Sequence, residues 1–314
     1  MSSTPSSAPT TILIGLSGPS SSGKTTLARL LRSVVNLSVV EGGKEYKLSL
    51  FVLHEDDFYK VDKDVPIVTF SSSQHGTRSL QDWDCVESLD LDLFEHTLQY
   101  VKDHGALPPD TVSKEDQNSV GDVHVSDAEV QDFQGEVKSW FQQLLHDHLL
   151  STTGTTRSEL PKEMRICILD GFLLYPPAPS VPNARSETEA AELKHLYDLS
   201  HALLSPRLFL PCSREQMVNR RLARSGYVTL EGFWVDPPGY VEDVVWPNYE
   251  RTHSWMYTDN NADGGVFDEK ICQEREGVVV CPGQGTLPMK ECLTWGVNEV
   301  KMAVEKRLSG SRNE

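Results

Sequence analysis

The sequence predicts an α/β fold with a central parallel sheet flanked by helices in three layers. Apolar, β-prone segments alternate along the chain with amphipathic segments of helical spacing, which is the pattern of β–α–β units with right-handed crossovers. The first apolar segment, residues 11–16, runs into a glycine-rich loop that opens the first helical segment. A chain of 314 residues is long enough for one large domain of this kind. We expect a single domain over residues 11–310.

The strands are predicted from short apolar runs, and the helices from apolar side chains three and four residues apart. The second strand is apolar throughout, so we expect it to be buried on both faces. The predicted strands cover residues 11–16, 48–53, 165–170, 207–211 and 277–281. The predicted helices cover residues 27–35, 87–102, 128–150, 187–203, 213–224 and 289–307.

Between these elements lie segments of loop-like composition. Residues 41–44 contain two glycines and predict a surface turn, and residues 61–79 and 232–249 are predicted as loops from their serine, glycine and proline content. Residues 103–127 hold many acidic side chains and almost no large apolar ones, so we expect a mobile acidic insert there. Residues 1–10 are rich in serine, threonine and proline and are expected to form a disordered tail.

Charge and hydropathy exclude several classes of function. The net charge of −17 argues against a nucleic-acid-binding protein, which would need a basic face. No apolar run approaches the roughly 20 residues that span a bilayer, and the first residues resemble neither a signal peptide nor a transit sequence. The six cysteines include no CxxC pair and are predicted to be reduced, buried thiols. We therefore expect a cytoplasmic protein with no membrane or nucleic-acid partner.

The glycine-rich loop matches the Walker A pattern in its required context of strand, loop and helix. Gly18 and Gly23 allow the backbone N–H groups to turn toward a phosphate, and the start of the helix adds unsatisfied donors. Lys24 is expected to reach the β- and γ-phosphates, and the hydroxyl of Thr25 to bind Mg²⁺. A plain serine- and glycine-rich turn is the alternative. The predicted phosphate-binding residues are Gly18, Ser20, Ser21, Ser22, Gly23, Lys24, Thr25 and Thr26.

Acidic side chains follow two of the predicted strands. Because ligands bind beyond the carboxyl ends of strands in an open parallel sheet, these acids are expected beside the glycine-rich loop. Asp170 occupies the position of a Walker B acid that places Mg²⁺ next to Thr25, the alternative being an aspartate that caps a turn. Either Asp56 or Asp57 could accept the proton of a hydroxyl that attacks the γ-phosphate. A solvated acidic turn is the alternative for this pair.

Two further groups of side chains could contact ligands. Arg220, Arg221 and Arg224 lie on one helical segment, and we expect such arginines on a lid over the phosphates, at residues 214–235. A basic surface helix in an acidic protein is the alternative. Several aromatic residues lie in predicted loops, where two of them could enclose a planar base. These aromatic residues are Trp83, Tyr227, Phe233, Trp234 and Trp246.

Taken together, five segments in this order resemble the nicotinamide riboside kinase family, within the uridine kinase-like group of P-loop kinases. The resemblance implies the three-layer P-loop kinase fold with a lid and inserted loops. It also implies a kinase that uses Mg²⁺ and ATP, with GTP as the alternative donor, to phosphorylate a small-molecule nucleoside. A monomer or small homo-oligomer is expected. The five segments are Gly-Leu-Ser-Gly-(x)₄-Gly-Lys-Thr-Thr, residues 56–60, residues 81–84, residues 168–174, and Pro-Gly-Tyr leading to Val-Trp-Pro-Asn-Tyr at 238–249.

The resemblance also implies roles for individual residues. Asp56 would be the general base for the ribose 5′-hydroxyl, and Asp84 with Arg221 would hold the 2′- and 3′-hydroxyls. Trp83 and Tyr227 would stack on the cationic pyridine ring, which suits an electron-rich indole face. The remaining predicted residues are Asp57 and Tyr59 on the substrate side, Arg220 and Arg224 on the nucleotide side, and Thr25 with Asp170 at the metal.

Two departures from the family pattern bear on these roles. Asp170 stands where the family member used for comparison has glutamate, so that this shorter side chain could bind Mg²⁺ directly or through water. The spacing from Arg224 to Tyr227 is one residue longer, which weakens the Tyr227 assignment.

Other functions stay open at this stage. A related uridine/cytidine-type kinase, or a kinase of another hydroxylated metabolite, would share most of these motifs. A nucleotide-binding regulatory P-loop protein is a different class, but the Asn-Lys pair by which GTPases recognise guanine does not occur in the chain. A pseudo-kinase is a third possibility, and the intact set of Lys24, Thr25, Asp56 and Asp170 argues against it.

Overall fold

The computed structural model describes residues 10–310 apart from 73–75, 112, 114–122, 152–159, 181–183, 225 and 229–231. Residues 1–9 of the predicted tail and the middle of the predicted acidic insert therefore lie outside the described residues, whereas Thr10 is the first residue of β1. The strands, in chain order, are β1 Thr10–Ser17, β2 Leu37–Glu41, β3 Lys44–His54, β4 Ile67–Ser72, β5 Gly76–Gln81, β6 Glu163–Gly171, β7 Arg207–Phe209, β8 Tyr227–Val228, β9 Phe233–Trp234 and β10 Val278–Val280. The helices are α1 Lys24–Val35, α2 Leu91–His104, α3 Asp127–Ser151, α4 Glu187–Leu203, α5 Arg214–Leu222, α6 Trp246–His253 and α7 Met289–Gly310.

The main sheet has six strands in the order β10-β7-β1-β6-β3-β2. All neighbouring strands are parallel except β2, which pairs antiparallel with β3 at one edge. Strand β6 lies between β1 and β3, so the chain leaves the centre of the sheet and returns to it through long crossovers. This topology brings the carboxyl ends of β1, β3, β6 and β7 to the same edge of the sheet.

Apolar side chains alternate between the two faces of the sheet and form two separate cores. In β6, Ile166 and Ile168 belong to the core beneath α1, α3 and α7, whereas Cys167 and Leu169 belong to the core beneath α2, α4 and α6. Because both faces are covered by helices, the architecture is the predicted three-layer α/β fold. The six cysteines are free and buried, as predicted.

The sequence analysis missed two small antiparallel hairpins and one edge strand. The segment predicted as a loop at 61–79 contains β4 and β5, which pair with each other. Their cross-strand contacts include hydroxyl pairs, Thr69 with Ser79 at 2.7 Å and Ser71 with Thr77 at 2.6 Å. Such polar strands lack the apolar alternation by which strands are predicted. The predicted turn after residue 41 is present, but it joins β3 to the edge strand β2.

The prediction of a loop over residues 232–249 was wrong for its second half. Residues Val241–Val245 form a helical segment that continues directly into α6. Pro247 lies in the first turn of α6, directly after this helical segment. The first half contains β9, which pairs with β8. None of the helices in the described part of the chain is long and apolar enough to cross a membrane.

Candidate active site

A single cleft at the carboxyl ends of β1, β3 and β6 contains most of the predicted site residues. It encloses about 1140 Å³, including its open mouth. The predicted residues that line it are Ser20, Ser21, Gly23, Lys24, Thr25, Thr26, Asp56, Tyr59, Trp83, Asp84, Asp170, Arg221 and Arg224.

The glycine-rich loop adopts a conformation that only glycine tolerates at two positions. Gly18 has φ 153°, and a Cβ atom there would lie 2.2 Å from the carbonyl oxygen of Leu210. Gly23 has φ 103° and immediately precedes α1. The buried ammonium group of Lys24 donates a hydrogen bond of 3.1 Å to the carbonyl oxygen of Pro19, within the same loop. The loop therefore encloses the lysine head group at the helix N-terminus, as a phosphate-binding loop requires.

Thr25, Asp170 and His54 form a connected group at the ends of three elements. The Thr25 hydroxyl donates to Oδ2 of Asp170 at 2.6 Å, and Nδ1 of His54 donates to the same oxygen at 3.1 Å. His54 is the direct neighbour of Asp170 in the pairing of β3 with β6. Mg²⁺ in phosphoryl-transfer sites is held by one or two protein oxygens together with phosphates and water. The Thr25 hydroxyl and the Asp170 carboxylate fit that requirement.

The pKa values of two carboxyl groups in the cleft are shifted in opposite directions by their surroundings. Burial alone would raise the pKa of Asp170, but the hydrogen bond from His54 and the charge of Lys24 together lower it below its ordinary value. Burial and the charge of Asp170 raise the pKa of Asp56, and Lys24 and His54 only partly oppose this. Two neighbouring acids whose pKa values are shifted apart are typical of sites in which one acid stays ionised and the other exchanges a proton. Asp170 thus suits a cation, and Asp56 suits proton transfer.

Glu55 is a buried acid that the sequence analysis did not single out. Its Oε2 accepts hydrogen bonds from the backbone N–H groups of Phe172 at 2.7 Å and Leu173 at 3.0 Å, just after Asp170. Burial raises the pKa of Glu55 from 4.5 to about 8, more than these bonds lower it. The side chain is therefore protonated at neutral pH, and it fixes the segment that follows β6 without adding a charge.

Aromatic rings form the wall of the other half of the cleft. The ring of Tyr59 meets Trp83 edge-on at a centroid distance of 5.3 Å and stacks on Phe172 at 6.1 Å. Trp234 lies 5.9 Å from Trp83. The backbone N–H of Trp83 donates to the hydroxyl of Tyr240 at 3.0 Å. These rings can enclose a planar, apolar or cationic group.

Arg221 joins the aromatic half of the cleft to the glycine-rich loop. Its guanidinium donates to both carboxylate oxygens of Asp236, at 2.7 and 3.0 Å, and to the hydroxyl of Ser20 at 2.7 Å. Nη1 lies 3.6 Å from Oδ1 of Asp84. Burial raises the pKa of Asp84 to about 6, and the Arg221 charge limits that rise. Trp234 donates its indole N–H to Asp236 at 2.9 Å, which fixes the ring next to this pair.

The structure places the other predicted residues as follows. Nη1 of Arg220 lies 3.4 and 3.3 Å from the carbonyl oxygens of Ser21 and Ser22. Arg220 thus contacts the glycine-rich loop but is not among the residues that line the cleft. Arg224 lines the cleft, whereas Asp57 and the buried Ser22 are not among the residues that line it. The side chain of Tyr227 lies outside the described residues, so its predicted stacking stays a prediction. Residues 225 and 229–231 of the predicted lid are likewise outside them.

The sequence analysis did not single out four residues that line the cleft or contact its lining residues. His54 and Glu55 come directly after a predicted strand, and that position was a usable signal. Asp236 carried no signal in the sequence, because its role depends on contact with Arg221 fifteen residues earlier. The missed residues are His54, Glu55, Phe172 and Asp236.

Comparison with known proteins gives three similar chains, and no protein-family model matches. The chain is 30% identical over 295 residues to the nicotinamide riboside kinase of Schizosaccharomyces pombe, covering 94% of this chain and 98% of that protein. It is 27% identical over 293 residues to the nicotinamide riboside kinase of Saccharomyces cerevisiae, covering 92% and 95%. A third protein of the same name, from Eremothecium gossypii, is 26% identical over 247 residues, covering 79% of this chain and 78% of that protein.

Proposed function

The chain belongs to the nicotinamide riboside kinase family, and from this premise we propose that it transfers the γ-phosphoryl group of ATP to the 5′-hydroxyl of nicotinamide riboside. The product would be nicotinamide mononucleotide, an intermediate of NAD biosynthesis. Family membership makes the chain a phosphotransferase that acts on an alcohol group. The residue roles, the use of ATP with Mg²⁺ and the reaction geometry are the content of the proposal.

One observation carries the proposal. A phosphate-binding half, with Lys24, Thr25 and Asp170, and an acceptor half, with Trp83 and Asp84, line the same cleft. A phosphoryl transfer needs donor and acceptor held side by side, because catalysis rests on positioning and charge stabilisation. A protein that only bound nucleotide would have no need of the second half.

On the donor side, the loop N–H groups and the ammonium group of Lys24 would bind the phosphates. Thr25 and Asp170 would hold Mg²⁺, which supplies neutralisation of phosphate charge when bound. Arg220 and Arg224 lie near the loop and would contribute further positive charge. These charges would stabilise the transition state more than the ground state, because negative charge shifts during transfer.

On the acceptor side, Asp56 would accept the proton of the attacking hydroxyl. Its raised pKa makes it a better base than an ordinary aspartate, because it holds the proton more strongly. Asp84 and Arg221 would bind the two ribose hydroxyls. The rings of Trp83, Tyr59 and Trp234 would enclose the pyridine ring, whose positive charge suits aromatic faces.

The test is turnover by the purified protein with ATP, Mg²⁺ and a panel of nicotinamide riboside, nicotinic acid riboside, uridine and cytidine. We expect the highest kcat/KM with nicotinamide riboside. Turnover of uridine or cytidine without nicotinamide riboside would refute the substrate and favour the uridine/cytidine-type alternative. GTP in place of ATP tests the donor.

Asp56→Asn tests the mechanism, and Asp57→Asn is the matched neighbour. Loss of a general base lowers kcat by about 10²–10⁴-fold, and ATP binding should persist in Asp56→Asn. If Asp57→Asn loses turnover and Asp56→Asn keeps it, the base is Asp57. A cytoplasmic location and a monomer or small homo-oligomer stay predictions of the sequence, which fractionation and light scattering check.

A further inference from the structure

A buried polar network lies behind the acceptor half of the cleft. At its centre is Asp82, which directly precedes Trp83 and Asp84 and is 0% exposed. Its Oδ1 accepts hydrogen bonds from the backbone N–H of Asp84 at 3.2 Å and from the side-chain amide of Asn248 at 2.7 Å. Its Oδ2 accepts a hydrogen bond from Nη1 of Arg185 at 3.0 Å. The Asp82 carboxylate therefore links the acceptor segment to α6 and to the residues before α4.

Arg185 is the only cation that contacts the Asp82 carboxylate among the described residues within salt-bridge distance. Its other terminal nitrogen, Nη2, lies 3.3 Å from Glu87 and 3.1 Å from Glu189. The backbone N–H of Arg185 also donates to the Glu189 carboxylate. Glu189 is itself fully buried and is paired with Arg251 at 2.8 Å. Arg185 is thus fixed from both sides, and its guanidinium is held in a set orientation.

A buried carboxylate needs such a partner, because removing one member of a buried pair leaves an uncompensated charge. The planar guanidinium reaches Asp82, Glu87 and Glu189 at once, which a lysine ammonium cannot do in the same geometry. Arg185 is not among the residues that line the cleft. Any effect of Arg185 on the reaction must therefore pass through the residues it holds, of which Asp82 is adjacent in sequence to the acceptor-binding pair.

We propose that Arg185 is a positioning residue for the nucleoside: through the Asp82 carboxylate it sets the placement of Trp83 and Asp84 at the acceptor half of the cleft. The proposal rests on the proposed function in taking Trp83 and Asp84 as nucleoside contacts. Among the described residues, neither Arg185 nor Asp82 makes a hydrogen bond or ion pair with the glycine-rich loop, and the acceptor half reaches that loop through Arg221, which contacts both Asp84 and Ser20. We therefore expect Arg185 to affect the binding of the nucleoside more than the binding of ATP.

The first measurement is steady-state kinetics of Arg185→Met with both substrates varied. Supporting residues of a site typically contribute about 10- to 100-fold, and we expect a rise of that size in KM for the nucleoside. KM for ATP should stay within about twofold of the wild-type value. Arg165→Met is the matched control, because Arg165 has a similar exposure, 32% against 38%, and pairs with Glu163 at the opposite end of β6. It should leave both KM values unchanged.

A double-mutant cycle with Asp82→Asn tests whether the effect passes through the Asp82 carboxylate. In Arg185→Met the buried Asp82 carboxylate has lost its cation. Asparagine at position 82 keeps an oxygen acceptor and carries no charge, so the double variant should have a lower nucleoside KM than Arg185→Met alone. Additive effects of the two substitutions would overturn the proposal, as would equal changes in KM for ATP and nucleoside. If Arg185→Met does not fold, Arg185→Lys replaces it in the cycle, with a smaller rise in nucleoside KM expected.

The outcome separates this proposal from the proposed function. If the wild-type protein fails to phosphorylate nicotinamide riboside, the substrate assignment fails, and the cycle is run with the nucleoside that it does phosphorylate. If the wild type is active and Arg185→Met has wild-type KM for the nucleoside, the positioning role fails and the proposed function stands.

Discussion

Replacing Glu55 by glutamine should stabilise the protein at neutral pH while leaving the site intact. Glu55 is 0% exposed, and its Oε2 holds two backbone N–H groups of the segment after β6. Its Oε1 is buried with no hydrogen-bond partner among the described residues. Burial raises the pKa of Glu55 from 4.5 to about 8. Glutamine has nearly the same shape, keeps an oxygen for the two N–H groups and carries no charge at any pH.

The magnitude follows from proton linkage. Between pH 4.5 and about 8 the unfolded chain ionises Glu55 while the folded chain keeps it protonated, so the unfolded state gains stability as the pH rises. Each pH unit in this window costs the folded state about 1.4 kcal/mol. The cost is therefore absent well below pH 4.5 and reaches about 3 kcal/mol at pH 7. Glutamine at this position removes that cost.

The assay is thermal unfolding of wild type and Glu55→Gln in matched buffers from pH 5 to pH 8. The Tm of the variant minus that of the wild type should increase with pH, by about 5 °C between pH 5 and pH 7. Titrating groups that do not interact with Glu55 cancel in this difference. Glu45→Gln, near the start of β3, is the control because the Glu45 side chain is 54% exposed, and the Tm difference between this variant and the wild type should not change with pH. A constant difference for Glu55→Gln across this range refutes the reasoning.

Three further predictions concern the cleft itself. Since burial raises the pKa of Asp84 to about 6, the nucleoside Kd measured by calorimetry should rise about tenfold from pH 7 to pH 5. Asp84→Asn should abolish that dependence, and a Kd that is flat in the wild type contradicts the assignment. Asp170→Asn should raise the Mg²⁺ concentration needed for half-maximal turnover by about 10- to 100-fold, and an unchanged Mg²⁺ requirement would exclude a metal role. Gly18→Ala should lower the free energy of unfolding by about 1–3 kcal/mol, because the new Cβ would overlap the Leu210 carbonyl, and denaturant titration checks this.

Local patterns in the sequence predict which residues form the proposed donor half of the cleft. A strand, a glycine-rich loop and a helix follow one another without interruption, so Lys24 and Thr25 can be placed from residues 11–35 alone. Asp56 and Asp170 were placed by one general rule, that ligands meet the carboxyl ends of parallel strands. Both aspartates line the cleft with the loop residues, as the rule predicts.

The remaining features depend on contacts between distant parts of the chain. His54 faces Asp170 only because β3 pairs with β6 in one particular register, across 116 residues. The pairing of Arg185 with Asp82 spans 103 residues and joins two segments without periodic pattern. The raised pKa of Glu55 comes from burial, which a sequence of acidic residues after a strand does not reveal. Such properties become visible only when packing is known.

Secondary structure shows the same division. The long amphipathic helices and the central strands were predicted because burial against the sheet imposes a period on their side chains. The hairpin of β4 and β5 was missed because it pairs hydroxyl-bearing residues instead of apolar ones. The helix α6 was missed because Pro247 was interpreted as a loop residue, although proline is well tolerated in a first helical turn.

The order of the strands also limits how copies of this chain can associate. Its main sheet ends at one edge with β10, three residues long, and at the other with β2, five residues long and antiparallel to its neighbour. An exposed edge recruits another chain by continuing the hydrogen-bond ladder, and short edges offer few free backbone groups for this. The long strand β6 lies between β1 and β3, whereas the outer side of β1 is paired with β7 only over residues 15–17 and the outer side of β3 with β2 only over residues 44–48. The fold thereby protects β6, the apolar strand at its centre, from strand addition.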